Sequence, residues 1–342
     1  MPSFSGRFAR HAARWIPPGL SRGFAGPAAV FFHGVEAAPE GFEKIHHRAD
    51  IFFDIAKSLK RHFDVLPMAA MRDVLKNPSR HARALFITFD DGYANTKLAA
   101  DILENLDLPW TLFVSTHHIE TGARNPAFLA RLFFHHTPNG EYAIPHLGRI
   151  ILGTAAQREL QVNTGLNALK FLDAARANEA LATMLANFAP DTLARLLEEF
   201  PSEKFLDWTE LRALAQRGVE IGAHAHRHWP MHAGQSRDYL AEQARKPREM
   251  IEAQIGRCRF FAYPFGTPAD VGADAHAAVR DAGYEFAFTT VSGTLTASAD
   301  PWLMPRYGVG LEETTLASMI GLLRANNARL ISWQRKLAPV SA

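Results

Sequence analysis

Short apolar runs alternate with amphipathic stretches along most of this chain. Ala28–Val35 (AAVFFHGV), Ala84–Phe89 (ALFITF) and Trp110–Ser115 (WTLFVS) are continuous apolar runs, the pattern of strands buried on both faces. Between them, Phe52, Ile55, Ala56 and Leu59 within Ile51–Phe63 fall at helical spacing, and Leu98–Leu106 also suits a helix. The alternation returns late in the chain. Trp208–Arg217 and Asp274–Ala282 read as helices, and Gly218–Ala223, Cys258–Tyr263, Phe286–Thr290 and Arg306–Val309 as strands. Strands alternating with helices predict parallel βαβ units and an α/β fold. The stretch from about Ile119 to Glu203 breaks the pattern. It offers no evident strand, while Leu181, Met184, Leu185 and Phe188 keep helical spacing and Pro190-Asp191 opens another helical stretch to Phe200. It reads as a helical insertion. The predicted layout is a basic segment at 1–27, an α/β domain at 28–330 with an insertion at about 119–203, and a tail at 331–342.

Composition narrows this picture. Of 342 residues, 47% are hydrophobic and 21% charged, which excludes a disordered or collagen-like chain. The 37 Lys+Arg and 35 Asp+Glu leave a net charge of +2, and no basic run is interleaved with aromatics, so charge does not mark a nucleic-acid binder. The single cysteine, Cys258, excludes an intramolecular disulfide and a cysteine zinc cage. No stretch reaches the ~18–20 apolar residues of a spanning helix. The N-terminus carries Arg7, Arg10, Arg14 and Arg22 before its first acid, Glu36. The apolar run Gly23–Phe32 is broken by Gly26 and Pro27 and lacks a small-residue cleavage site, so it reads as mature strand and a cytoplasmic location is expected. Phe4, Phe8 and Trp15 among the arginines suit either peripheral contact with an anionic membrane or a short helix packed on its own domain.

The 16 histidines direct attention to chemistry. Thr88-Phe89-Asp90-Asp91-Gly92-Tyr93 places two adjacent carboxylates at a strand's C-terminal end, where ligands bind in parallel sheets, and Gly92 allows the sharp turn that presents both. Ile221-Gly222-Ala223-His224-Ala225-His226-Arg227-His228 also follows a strand. Three histidines at alternate positions beside an arginine favour neutral imidazoles, which are good metal ligands, although spacing alone does not choose two of the three. Two imidazoles and one carboxylate form the open donor set of a hydrolytic metal site. Tyr263-Pro264-Phe265-Gly266 ends a third buried strand in a turn.

In this order the three segments resemble the polysaccharide deacetylases of the NodB-homology type, carbohydrate esterase family 4, from about Ala28 to Val309 with the insertion excepted. The resemblance implies a deformed (β/α) barrel. It implies Asp90 as catalytic base, Asp91, His224 and His228 as metal ligands with His226 a spectator or supporting residue, and the Phe265 N–H as oxyanion donor. Two departures stand out. Ala262 occupies the place where the family's third motif usually carries an arginine, and Arg306 is the expected replacement. The family's late histidine is missing, and after Gly266 only His276 remains. Phe31-Phe32-His33-Gly34-Val35 resembles the first strand of the circularly permuted branch, which includes poly-N-acetylglucosamine deacetylases, so His33 is the expected general acid.

The activity so implied is metal-dependent removal of an N-acetyl group from an amino sugar of a surface polysaccharide, a lipopolysaccharide or its precursor. The cofactor is one divalent ion, zinc first, with cobalt, nickel, manganese or iron sharing the donor chemistry. The alternatives are an O-acetyl esterase and a non-catalytic carbohydrate-binding relative. An insertion between the first two motifs is expected to roof the cleft and favour a restricted substrate. Trp110, Trp229 and Trp302 are candidates to stack on sugar rings, against the plainer role of core packing.

Overall fold

A computed structural model describes residues 26–38, 42, 45–311 and 332–334. Its strands are β1 (Ala28–Phe32), β2 (Gly34–Glu36), β3 (His46–Arg48), β4 (Asp64–Val65), β5 (Ala84–Phe89), β6 (Trp110–Val114), β7 (Gly140–Ile144), β8 (Gly148–Leu152), β9 (Glu220–Ala223), β10 (Phe260–Ala262), β11 (Phe286–Phe288) and β12 (Tyr307–Gly308). The main sheet runs β11-β10-β9-β6-β5-β1-β12, with β4 beside the start of β5, and its strand pairs are all parallel. Its edges approach one another through the last segment. Met304 bridges Phe288 of β11, while Tyr307 and Gly308 pair with β1. The sheet therefore curls into the deformed (β/α) barrel that the family resemblance implied.

Alternation along the strands divides the apolar residues between two cores. Leu85, Ile87 and Phe89 join Val30, Phe32, Leu112, Val114, Phe261 and Ala287 beneath the surrounding helices. The intervening positions Ala29, Phe86, Phe113, Phe260 and Phe288 form a second cluster with Met304. A residue on a pleated strand shares a face with those two positions away. His33 extends the series of Ala29, Asp90 that of Phe86, and His224 lies two beyond Gly222 in β9. Parity thus puts His33, Asp90 and His224 on one face, and the parallel direction of the strands puts all three at the same end of the barrel.

Most elements fall within a residue or two of expectation. The helix expected at Ile51–Phe63 runs Ala49–His62 and buries Phe52, Ile55, Ala56 and Leu59. Ala28–Val35 is not one strand but two, β1 and β2, broken at His33. The helix Arg237–Ile255 went unread because Pro247 lies inside it and only Leu240, Gln243, Ala244, Pro247 and Ile251 are buried.

The insertion departs from an all-helical reading. Besides helices Pro126–His136, Ala155–Phe171, Ala174–Leu185 and Pro190–Glu199, it holds the antiparallel hairpin β7–β8. Of the ten hairpin residues only Ile144, Ile150 and Leu152 are buried, so the period-two signal is thin. These pack with Phe133, Phe134, Leu169 and Met184 in a third core. The N-terminal segment and its membrane-contact reading lie outside the described residues. Among the described residues no helix is long and apolar enough to cross a membrane.

Candidate active site

The tandem acids leave β5 in opposite environments. Asp90 accepts two charge-assisted hydrogen bonds from Arg306, Nη1 to Oδ1 and Nη2 to Oδ2, both 2.7 Å. Arg306 is fully buried. It also donates to Thr88 Oγ1 at 3.0 Å and to the Thr289 carbonyl at 3.1 Å, with the Phe31 ring centroid 4.7 Å from its guanidinium carbon. A buried charge is costly unless paired and hydrogen-bonded, and this one is both. Burial is the largest influence on Asp90 and opposes its ionisation, but the charge and hydrogen bonds of Arg306, with His224 and His33, together hold the carboxyl below its ordinary value. Arg306 is thus the cation that engages Asp90. It reaches Asp90 from the segment that joins the sheet's edges. Ala262 serves differently: its carbonyl faces His224 Nδ1 at 2.7 Å.

Asp91 points elsewhere because its backbone is left-handed, with φ 75°. Gly92 continues at φ 94°, and a Cβ there would meet Val114 Cγ1 at 3.0 Å, so glycine suits both the turn and the space. Asp91 Oδ1 lies 2.8 Å from His228 Nε2 and 3.1 Å from His224 Nε2. One ligand atom from each of the three residues falls within 4.8 Å of the others, and all three side chains are buried. Burial opposes ionisation of Asp91, yet His228 and His224 hold its carboxyl well below its ordinary value. His224 is raised: burial lowers it, but Asp90 and Asp91 prevail.

This donor set fits a divalent ion. Two imidazole nitrogens and a carboxylate oxygen of buried residues converge, and the Ala262 carbonyl fixes His224 with Nδ1 protonated and Nε2 turned inward. His228 also has a left-handed backbone, φ 57°, as do Ala225 at 58° and Phe265 at 60°. Four of the six described non-glycine residues with positive φ therefore belong to these three turns. Such positions cost about 1–3 kcal/mol each and cluster at functional sites.

The other expected residues separate clearly. His226 faces away from the cluster: Nδ1 lies 2.9 Å from Thr116 Oγ1, and burial pushes its imidazole down to about 3. His276 lies 3.0 Å from Asp300, far from the acids in its contacts. His33 borders the cleft together with Asp90, Asp91 and Phe265. Burial lowers its imidazole, while Asp91 and Asp90 pull it upward. The Phe265 ring sits 5.2 Å from that of His228, and its carbonyl accepts from Thr290 Oγ1 at 2.6 Å. Trp110 packs on Phe89 in the core, and Trp302 donates to the Tyr284 carbonyl. Trp229 is buried and donates to Asn178.

The insertion supplies residues that motif spacing did not reveal. Asn125 caps helix Pro126–His136 by accepting from Ala127 N at 2.9 Å, and its Nδ2 lies 3.4 Å from both His228 Nδ1 and Tyr93 Oη. Asn-Pro is a legible helix start, but not a legible neighbour of His228. Arg131 and Lys170 also line the cleft, whose volume is about 350 Å³.

Comparison with known proteins bears on the family and the fold. A family model described as polysaccharide deacetylase matches residues 77–287. No curated protein matches the chain in sequence. Among solved structures, the chain is similar to the Streptococcus pyogenes deacetylase PplD in complex with acetate, at TM-score 0.57 and 13% identity over 88% of this chain and 99% of that one. IcaB from Ammonifex degensii gives 0.55 and 13% over 88% and 97%. A de-N-acetylase from Aggregatibacter actinomycetemcomitans gives 0.54 and 15% over 87% and 99%. Identities this low speak to the fold alone. The matched range contains Asp90, Asp91, His224, His228 and Phe265 but neither His33 nor Arg306.

Proposed function

The chain belongs to the polysaccharide deacetylase family, and from that premise we propose that it is a metal-dependent carbohydrate N-deacetylase that releases acetate from an acetylated amino sugar. One observation carries this reading: the Asp91, His224 and His228 ligand atoms converge beside a second carboxylate, Asp90, that a different partner holds. One acid is thereby committed to the cation and the other left for proton transfer.

Asp91, His224 and His228 would hold the ion, zinc by donor preference, with cobalt, nickel, manganese or iron sharing the chemistry. When bound, a divalent ion supplies Lewis acidity, polarising the acetyl oxygen and lowering the pKa of water from ~15.7 toward about 7. Asp90 accepts the proton of the attacking water. Its ionised state is secured by Arg306, which also fixes the carboxylate plane. The Phe265 N–H donates to the oxygen that gains charge; one such donor contributes about 2.7–4 kcal/mol in known cases. His33 delivers a proton to the departing amine, since an amide anion does not leave unprotonated. A non-catalytic relative with a decayed site loses its main support, because Arg306 restores the cation that Ala262 lacks. His33, directly after the first strand, supports a place in the circularly permuted branch.

The insertion walls one side of the cleft with Phe128, Arg131 and Lys170. That supports a restricted substrate, such as a precursor in surface-polysaccharide or lipopolysaccharide assembly handled in the cytoplasm, over a bulky polymer. The test is Asp90→Asn assayed for acetate release from N-acetyl and O-acetyl sugars, with metal content measured in parallel. Turnover should fall on the order of 10²–10⁴-fold with metal retained. Native turnover in the variant removes Asp90 as base, and activity on esters alone makes the protein an esterase.

A further inference from the structure

The turn that follows β10 is strained and has to be held. Phe265 keeps a left-handed backbone, φ 60°, and Gly266 follows at φ 63°. A bulky residue persists there only where its surroundings over-determine it. On the barrel side Thr290 supplies two bonds. Its hydroxyl donates to the Phe265 carbonyl at 2.6 Å, and its N–H donates to the Gly266 carbonyl at 3.0 Å. The other hold comes from the insertion.

Asp270 is the centre of that second hold, and its side chain is buried. Oδ2 accepts from the Thr267 N–H at 3.1 Å and from the Thr267 hydroxyl, while the Asp270 N–H donates back to the Thr267 carbonyl at 2.9 Å. These bonds close the chain into a tight loop directly after Phe265-Gly266. Oδ1 lies 3.6 Å from Lys170 Nζ, its ion-pair partner among the described residues. The same ammonium stands 3.9 Å from the Phe265 ring centroid, a cation–π distance. Lys170 sits in the last turn of helix Ala155–Phe171. The end of that helix is itself anchored on the loop after the metal histidines. The Leu172 carbonyl lies 3.1 Å from His232 Nε2, and the Ala174 N–H donates to Gln235 Oε1 at 2.9 Å. His232 and Gln235 are both buried, so the ammonium is delivered from a fixed point.

We infer that Lys170 is a positioning residue for deacetylation: through Asp270 and the Phe265 ring it holds the Phe265 N–H where the substrate oxygen gains charge. This rests on the deacetylase reading and carries its apparatus into the insertion. A buried carboxylate deprived of its cation rearranges toward water, and the Thr267 bonds move with it. The strained turn then relaxes. An oxyanion donor works only at hydrogen-bond distance from the developing charge, so its displacement lowers kcat more than it raises KM.

Lys170→Met keeps the apolar stem and removes the charge, while Lys170→Arg keeps the charge. Hydrogen exchange of the metal-loaded protein, followed by mass spectrometry, reads the turn without requiring turnover. In Lys170→Met the peptide 263–272 should exchange about 10-fold faster, with 84–89 unchanged. Acetate release is assayed on N-acetylglucosamine, diacetylchitobiose and N-acetylglucosamine 1-phosphate, and kcat should fall about 10-fold at constant KM. Lys170→Arg should restore most of both. In an Asp270→Asn background, Lys170→Met should add little to either effect, because the two residues act in one chain of contacts. Unchanged exchange at 263–272, a loss confined to KM, or additive effects with Asp270→Asn overturn the inference. Acetate release from none of the three by the native protein sinks the deacetylase reading, while exchange still decides whether Lys170 holds the turn.

Discussion

The barrel and the insertion reach the same cleft by different means. In the barrel, chemistry stands at strand ends, and left-handed residues turn the loops that carry it. Asp91 and His228 are themselves such residues. In the insertion, contributions come from helix faces and one cap: Asn125 at a helix start, Arg131 and Lys170 further along two helices. The two regions keep separate apolar cores, and Trp229, three residues before which lies His226, belongs to the insertion's core. Strand ends offer rigid placement, which bond-making needs. Helix faces offer area and charge, which recognition needs. Barrel substitutions should therefore change chemistry or metal content, and insertion substitutions other than at Lys170 should change affinity or stability.

The sharpest way to break that contrast is His228→Ala. Elemental analysis should find the metal essentially gone and acetate release with it; retained metal would mean that the cluster is not the metal site. Arg306→Met comes next. Breaking a buried pair by removing one partner costs about 3–5 kcal/mol, so denaturant unfolding should show a large loss, with Arg306→Lys recovering part. The pH dependence gives a separate reading. Asp90 is held below its ordinary value in the folded protein, so its pairing stabilises the fold above the unfolded carboxyl's pKa near ~3.9 and fades as pH falls through the folded value. Without Arg306, Asp90 should protonate at higher pH, and the acid limb of kcat/KM should move upward. An unmoved limb would place the base elsewhere.

His33→Ala should slow hydrolysis by about 10²-fold or more with metal content unchanged. The acid must be protonated and burial lowers its imidazole, so native kcat/KM should fall as pH rises through a value below that of ordinary histidine. The variant should lose this alkaline limb; normal kinetics would return the role to another histidine. The smallest effect belongs to the insertion. Asn125→Ala removes a helix cap and the neighbour of His228 Nδ1, and should cost about 1 kcal/mol in unfolding experiments. Abolished metal binding in that variant would erase the division between the two regions.

Much of the site was legible beforehand because its parts are local. Asp90-Asp91-Gly92 and the three histidines 224, 226 and 228 each occupy one turn and so are visible as clusters, while the choice of His224 and His228 came from the family resemblance and not from spacing. Buried strands such as Ala84–Phe89 were equally plain, since a run of apolar residues has little alternative to a sheet interior. The hairpin β7–β8 was hidden by its exposed residues and helix Arg237–Ile255 by Pro247, because both are stabilised by what they pack against.

Sequence by itself determined the chemical inventory: which acids and imidazoles end strands, and that an arginine was absent from the third motif. Only tertiary structure decided that Arg306 pairs with Asp90, that His226 turns away, and that Lys170 reaches the Phe265 ring. Those contacts join positions 216, 110 and 95 residues apart. Such distances carry no local signal, and sheet closure with helix docking alone brings the groups together.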